Sequence, residues 1–349
     1  MADGKQMEEV VEMNSPKSWD YARSYASLFG DIPSSFSSTM RTLMLDNEKL
    51  AGSISNGGRF LALRLLKGKN LKAPYYFACL TYKPDLFEGK TTLKDSDLLA
   101  GFKPDEVAAL FGIIYLFKKA KKFCDPTELE FFLPNFYRDI EIAGHVGASI
   151  PAIGLCNSLF SVALRYLGVM AYLRHNIKHF QEYRRLLKAK NTIFSFPDQM
   201  NYFGCLDVQI GSIFLQSLGF GVNFSSQFHM CLSKDRLLEK TEVTSSPFEV
   251  VKLWIHSLVE TGKIPEIVHD IKFYPKKDNV DPLVARISEC VSKGSKYTWL
   301  EKGKDDINPT TTPQLCDESQ DKEIEAVPDE IRAEVSKDDL AALEKETDI

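Results

Sequence analysis

Apolar positions recur at helical spacing along most of the chain, and the polar residues between them supply start and stop signals. Ser15-Pro16 reads as a helix start, a capping serine with proline at the first helical position. Trp19, Ala22, Leu28 and Phe29 continue a loosely helical pattern that ends at Gly30. A second helix is predicted over about 34–50, a turn over 52–58 (GSISNGG), and a short helical run over 59–67 closed by Gly68. Residues 74–82 (PYYFACLTY) are so aromatic that periodicity does not decide between a strand and a buried helix. The clearest helix begins at Pro104. Asp105 and Glu106 fall in its first turn, and Lys118, Lys119, Lys121 and Lys122 in its last, the order that the helix dipole favours. Its apolar stripe is Val107, Leu110, Phe111, Ile114 and Phe117. Further helices are predicted over about 127–150, 152–173, 178–190, 207–218 and 247–261, with a loop at 194–197.

The segment 152–173 (AIGLCNSLFSVALRYLGVMAYL) is long enough to cross a membrane. Asn157, Ser158, Ser161 and Arg165 interrupt it, and a charge near the middle of a span is costly. The central helix of a bundle is the expected reading. From about residue 300 the chain changes character. It has no Phe, Tyr or Trp, it has Pro309, Pro313 and Pro328, and its acids are dense, so it is expected to be disordered. A transient amphipathic helix is expected within it through Ile331, Val335, Leu340 and Leu343.

Charge sharpens that division. The chain of 349 residues has a net charge of −5, but residues 301–349 carry 16 acids and 6 bases. The rest is a mildly basic body, with too little excess charge for a dedicated nucleic-acid footprint. Seven cysteines without a CxxC pair argue against a disulfide framework or a zinc ribbon, and imply reduced thiols in a cytoplasmic protein. Residues 1–14 are polar and acidic, so no signal peptide is expected. P-loop, dinucleotide-binding, HExxH and GxSxG patterns are absent from the sequence.

The candidate chemistry lies between residues 137 and 262. His145 sits in GHVGASIPAIG, and His175-Asn176 follows thirty residues later within LRHNIK. Asp207 opens a segment in 203–220 (FGCLDVQIGSIFLQSLGF), with Gly211 four residues on and Leu218-Gly219-Phe220 at its close. His229 and His256 lie further downstream. These phrases resemble the HDOD family, bacterial regulatory modules related to HD-type metal-dependent phosphohydrolases. Where an HD hydrolase needs His-Asp, this chain has His175-Asn176, and an asparagine amide brings no charge with which to bridge two cations. Ile32-Pro33 resembles a remnant of the family's Leu-Pro-rich opening.

The resemblance implies a mainly α, compact multi-helix bundle. Residues 1–130 would be the N-terminal helical part of the body, 131–300 the HDOD-like core, and 301–349 an acidic disordered tail. It implies a non-catalytic bacterial signal-transduction protein acting through a protein partner or a small ligand such as a nucleotide, with no cofactor. His145, His175, Asn176, Asp207, His229 and His256 are the candidate pocket residues; were a metal bound, His145, His175 and Asp207 would hold it. The basic run over 174–190, with Phe180 and Tyr183 interleaved, makes Arg184, Arg185 and Lys188 phosphate-binding candidates, against a plain reading as a solvated helix. Two alternatives stay open: an atypical HD phosphohydrolase on a single metal, and a scaffold whose acidic tail binds a basic partner.

Overall fold

In the computed structural model, residues 11–234, 236–237, 244–266, 271–296, 298–307 and 313–315 are described. The predicted helix start at Ser15-Pro16 opens α1 (Pro16–Ser27), where the Ser15 hydroxyl accepts from the Ser18 amide. α2 (Ser34–Lys49) follows as expected. The predicted turn over 52–58 is shorter than read: α3 (Asn56–Leu66) starts inside it. Ser55 caps α3 through the Gly58 amide, and Asp46 accepts from both the amide and the hydroxyl of Ser55. A Cβ at Gly58 would lie 2.3 Å from Asp46 Oδ2, so this turn needs its glycine for close approach.

The ambiguous aromatic segment is helical, in α4 (Lys69–Tyr82). It is buried on nearly all sides, and its tyrosine hydroxyls find carbonyl partners, Tyr75 at Leu98 O and Tyr76 at Pro313 O. After the short strand β1 (Thr92–Leu93) and the six-residue α5 (Asp95–Ala100), α6 (Pro104–Phe123) carries the predicted stripe into the core. Two of the lysines near its end have internal partners. Lys119 donates to Asp31 O at 2.7 Å, and Lys121 meets Glu301 at 2.7 Å.

The predicted helix over 127–150 is broken in two, α7 (Pro126–Leu129) and α8 (Leu133–Ser149). α9 (Leu155–His175) is the apolar segment, and α6, α8 and a later helix, α12, surround it. Within its most apolar stretch 89% of the residues are buried, which is why a bundle centre can match a membrane span in composition. α10 (Ile177–Ala189) follows a one-residue break at Asn176. The expected loop at 194–197 is half helix: Pro197 sits in the first turn of α11 (Phe196–Phe203), where its missing N–H costs nothing. α12 (Asp207–Leu218) crosses α9 at two glycines. A Cβ on Gly168 would meet the Asp207 backbone at 2.6 Å, and one on Gly211 would reach Leu164 Cβ at 3.0 Å.

α13 (Gly221–Leu232) and α14 (Pro247–His256) complete the wall of the bundle, and α14 runs into a π-turn at Ser257–Thr261. α15 (Lys277–Lys293) packs on α8 over a second apolar core built from Ile142, Val146, Val251, Trp254, Leu283 and Ile287. The packed body runs past residue 300, beyond the boundary expected for the tail. Trp299 is buried and donates to Tyr82 Oη at 3.0 Å, and β2 (Gln314–Leu315) pairs in parallel with β1. The expected disorder and transient helix beyond residue 315 lie outside the described residues.

Candidate functional site

The six expected pocket residues are not gathered into one cavity. His145 is buried in α8, near Glu141 and Cys290. His175 is exposed at the end of α9, edge-on to Tyr25 with ring centres 4.9 Å apart. Asn176 is the cap of α10: its Oδ1 accepts from the amides of Lys178 and His179 at 3.1 and 3.2 Å. Asn176 therefore has a local structural task at the position where an HD hydrolase would carry its aspartate. His229 lies in α13 against Trp19, beside a separate cavity of about 390 Å³. Its Nε2 is buried without a hydrogen-bond partner, and burial holds the imidazole below its usual pKa. Among the described residues, the metal grouping of His145, His175 and Asp207 does not form; the one such cluster is Glu141, His145 and Cys290.

Of the six, His256 lines a cleft of about 990 Å³ between α8, α9, the 191–196 segment and α14, and Asp207 reaches it only through its ion pair with Arg165. The charge on its floor is Arg165, the residue that interrupts the apolar helix α9. Its Nε is 3.1 Å from Asp207 Oδ2, and its guanidinium carbon is 3.9 Å from the centre of the Phe194 ring and 5.3 Å from that of Phe196. The ion pair and the ring faces hold the guanidinium plane in place. Asp207 is fully buried at the first position of α12. Its Oδ1 accepts from the Val208 amide, while its own amide donates to Gln199 Oε1. Burial pushes the Asp207 carboxyl above its usual pKa, and Arg165 and the Val208 amide pull it back.

One wall of the cleft is a second charged chain. Arg138 meets Asp139 at 2.7 Å, and Tyr166 donates to the other oxygen of Asp139 at 2.6 Å. Asp139 is likewise pushed up by burial and pulled back by Arg138. Lys188, 4.9 Å from the centre of the Phe131 ring, also lines the cleft, as do His256 and Lys252, whose ammonium donates to Lys234 O and Arg236 O. Of the predicted phosphate-binding candidates, only Lys188 lines the cleft. Arg184 is committed to Glu128 at 2.8 Å, and Arg185 is exposed on α10. Arg138, Arg165 and Lys252 were missed as site residues in the sequence. A signal existed for Arg165, the lone charge in a stretch apolar enough to span a membrane.

The arrangement offers a fixed guanidinium and two lysine ammoniums beside aromatic rings, a combination suited to an anionic ligand with a planar part. No family model, no curated protein and no solved structure matches this chain.

Proposed function

We propose that this protein is a regulatory binding module of the HDOD kind, acting in the bacterial cytoplasm, and that its cleft takes a small anionic ligand of the nucleotide class. The observation that carries this reading is Arg165, a guanidinium pre-positioned by Asp207 and Phe194 on the floor of a cleft of about 990 Å³. That volume lies at the upper end of the range typical of small-molecule sites, roughly 300–1,000 Å³. Lys188 and Lys252 supply further positive charge in the cleft, and Phe131, Phe194 and Phe196 supply apolar faces for a base.

Binding in place of hydrolysis is supported by what the expected His-Asp position does. Asn176 spends its side chain on a helix cap, His175 packs on Tyr25, and Asp207 neutralises Arg165. The regulatory step would be a shift of α14 against α9. Both helices line the cleft and pack against each other, and α14 ends in a π-turn closed by Gly262 at φ 64°. A ligand that touches both helices stabilises one arrangement by its differential affinity.

The test is a titration of the full chain with fluorescently labelled adenine and guanine nucleotides, repeated on Lys188→Glu and Lys252→Glu. Each charge reversal is expected to weaken binding at least about ten-fold, the scale of one charge-assisted hydrogen bond. Absence of nucleotide binding by the folded protein, or metal-dependent turnover of a phosphoester by it, would overturn the reading.

A further inference from the structure

The second core, which shares Ile255 and Val259 with the cleft, borders three side chains of a different kind. Glu141 and His145 stand one turn apart on α8, so they share a face. Cys290, near the end of α15, comes up against that face. The carboxylate, imidazole and thiol each offer one ligand atom, and the three atoms lie within 4.8 Å of one another. All three residues are buried, at 3%, 7% and 3% exposure.

We propose that Glu141, His145 and Cys290 form a zinc site with three protein ligands, which joins α15 to α8. The spacing supports this. Glu141 Oε1 and His145 Nε2 are 3.8 Å apart, and Cys290 Sγ lies within 4.8 Å of both ligand atoms. Zinc–ligand bonds of about 2.0–2.3 Å in a tetrahedron place ligand atoms roughly 3.3–3.8 Å from each other. A borderline-soft ion accepts this mixture of oxygen, nitrogen and sulfur, which hard cations such as magnesium and calcium do not favour.

The surroundings are also arranged as an outer layer. Ser295 donates to Glu141 Oε2, turning the carboxylate so that Oε1 faces His145. The Tyr82 ring stands edge-on to the imidazole, its centre 5.7 Å away, and the Tyr82 hydroxyl is tied to Trp299 and to Ile140 O. These partners limit the rotamers of both ligands before any ion arrives. On binding, the Cys290 thiol gives up its proton to solvent and its sulfur becomes a thiolate ligand; a water completes the tetrahedron.

The full chain is stripped with chelator, then titrated with cobalt(II), and zinc content is measured by elemental mass spectrometry after reconstitution. One equivalent of zinc is expected, with a thiolate-to-cobalt charge-transfer band in the near ultraviolet. That band should survive Cys231→Ser, a control at a partly exposed cysteine, and vanish in Cys290→Ser. Glu141→Gln, which keeps shape and packing, should weaken zinc binding at least about ten-fold. It also keeps the proposal testable if Cys290→Ser does not fold. A folded wild-type chain with no band and no stoichiometric zinc would overturn the proposal, as would an undiminished band in Cys290→Ser or unchanged zinc affinity in Glu141→Gln.

Discussion

Asp207 holds Arg165 from inside the bundle: the Asp207 side chain has no solvent exposure, while the Arg165 side chain it pairs with at 3.1 Å retains 17% and lines the cleft. One ion pair thus joins the α9–α12 crossing to the candidate ligand site. Removing either partner leaves the other as an uncompensated charge in a mostly buried place. Asp207→Ala and Arg165→Met are each expected to destabilise the fold by about 3–5 kcal/mol, and the double variant by less than their sum. Urea unfolding of the four proteins checks this; additive losses would remove the pair from the account.

Two glycines that face α12, Gly168 on α9 and Gly112 on α6, predict different outcomes. Gly168→Ala drives a methyl into the Asp207 backbone, which has no rotamer to give, and should cost about 1–3 kcal/mol. At Gly112 the nearest atom is Leu218 Cδ1 at 3.1 Å, the end of a flexible side chain. There the helix propensity of alanine, worth about 1 kcal/mol over glycine, offsets the crowding, so Gly112→Ala should be near neutral. Melting temperatures of the two variants separate the cases.

Asn176 predicts a stability effect without a catalytic one. Asn176→Ala loses two amide partners and should cost about 1 kcal/mol, whereas Asn176→Asp keeps an acceptor at the N-terminus of α10 and should hold or slightly raise stability. On the proposed function, Asn176→Asp also leaves phosphodiesterase and phosphomonoesterase activity at background. Appearance of metal-dependent activity in that variant would restore the hydrolase reading.

Asp105 predicts a pH effect. Burial, and then the neighbouring Glu106, push its carboxyl from an ordinary 3.8 up to about 6. Between those values the folded chain holds a proton that the unfolded chain has released. The contribution of Asp105 to stability is therefore full in acid and is lost as pH rises toward about 6. Such a displacement is worth up to about 3 kcal/mol, and solvent contact reduces it to about 2. Asp105→Asn should thus be more stable than wild type at pH 7 and equal to it near pH 3.5. Denaturant midpoints of both proteins across that range supply the measurement.

The helices that could be read from sequence are those whose signals are local. Ser15-Pro16, the acid-to-base polarity of α6 and the apolar run of α9 all report on a few consecutive residues, and all fall where expected. α4 stayed ambiguous because a segment buried on every side has no polar face to set a period. The site was less legible, since the elements that build it are far apart in the chain. Glu141 and His145 share a helical spacing that is visible in sequence, but only the docking of α15 brings Cys290 to them. Asn176 shows the converse. A residue at a motif position can be held there by a helix cap, a need every helix start has, and the motif alone does not distinguish the two.

The pairing of Thr92 with Gln314, and the bond from Tyr76 to Pro313 across 237 positions, set an order in time as well as in space. During synthesis α4 emerges long before the segment that covers it. Tyr76, Phe77 and Tyr82 must wait, uncovered by Trp299, Lys302 and Pro313, until residues 299–313 have left the ribosome. A chain halted or cut before residue 299 would therefore carry an open aromatic face on its N-terminal half. Its fate would be set by chaperones and proteases more than by its own stability.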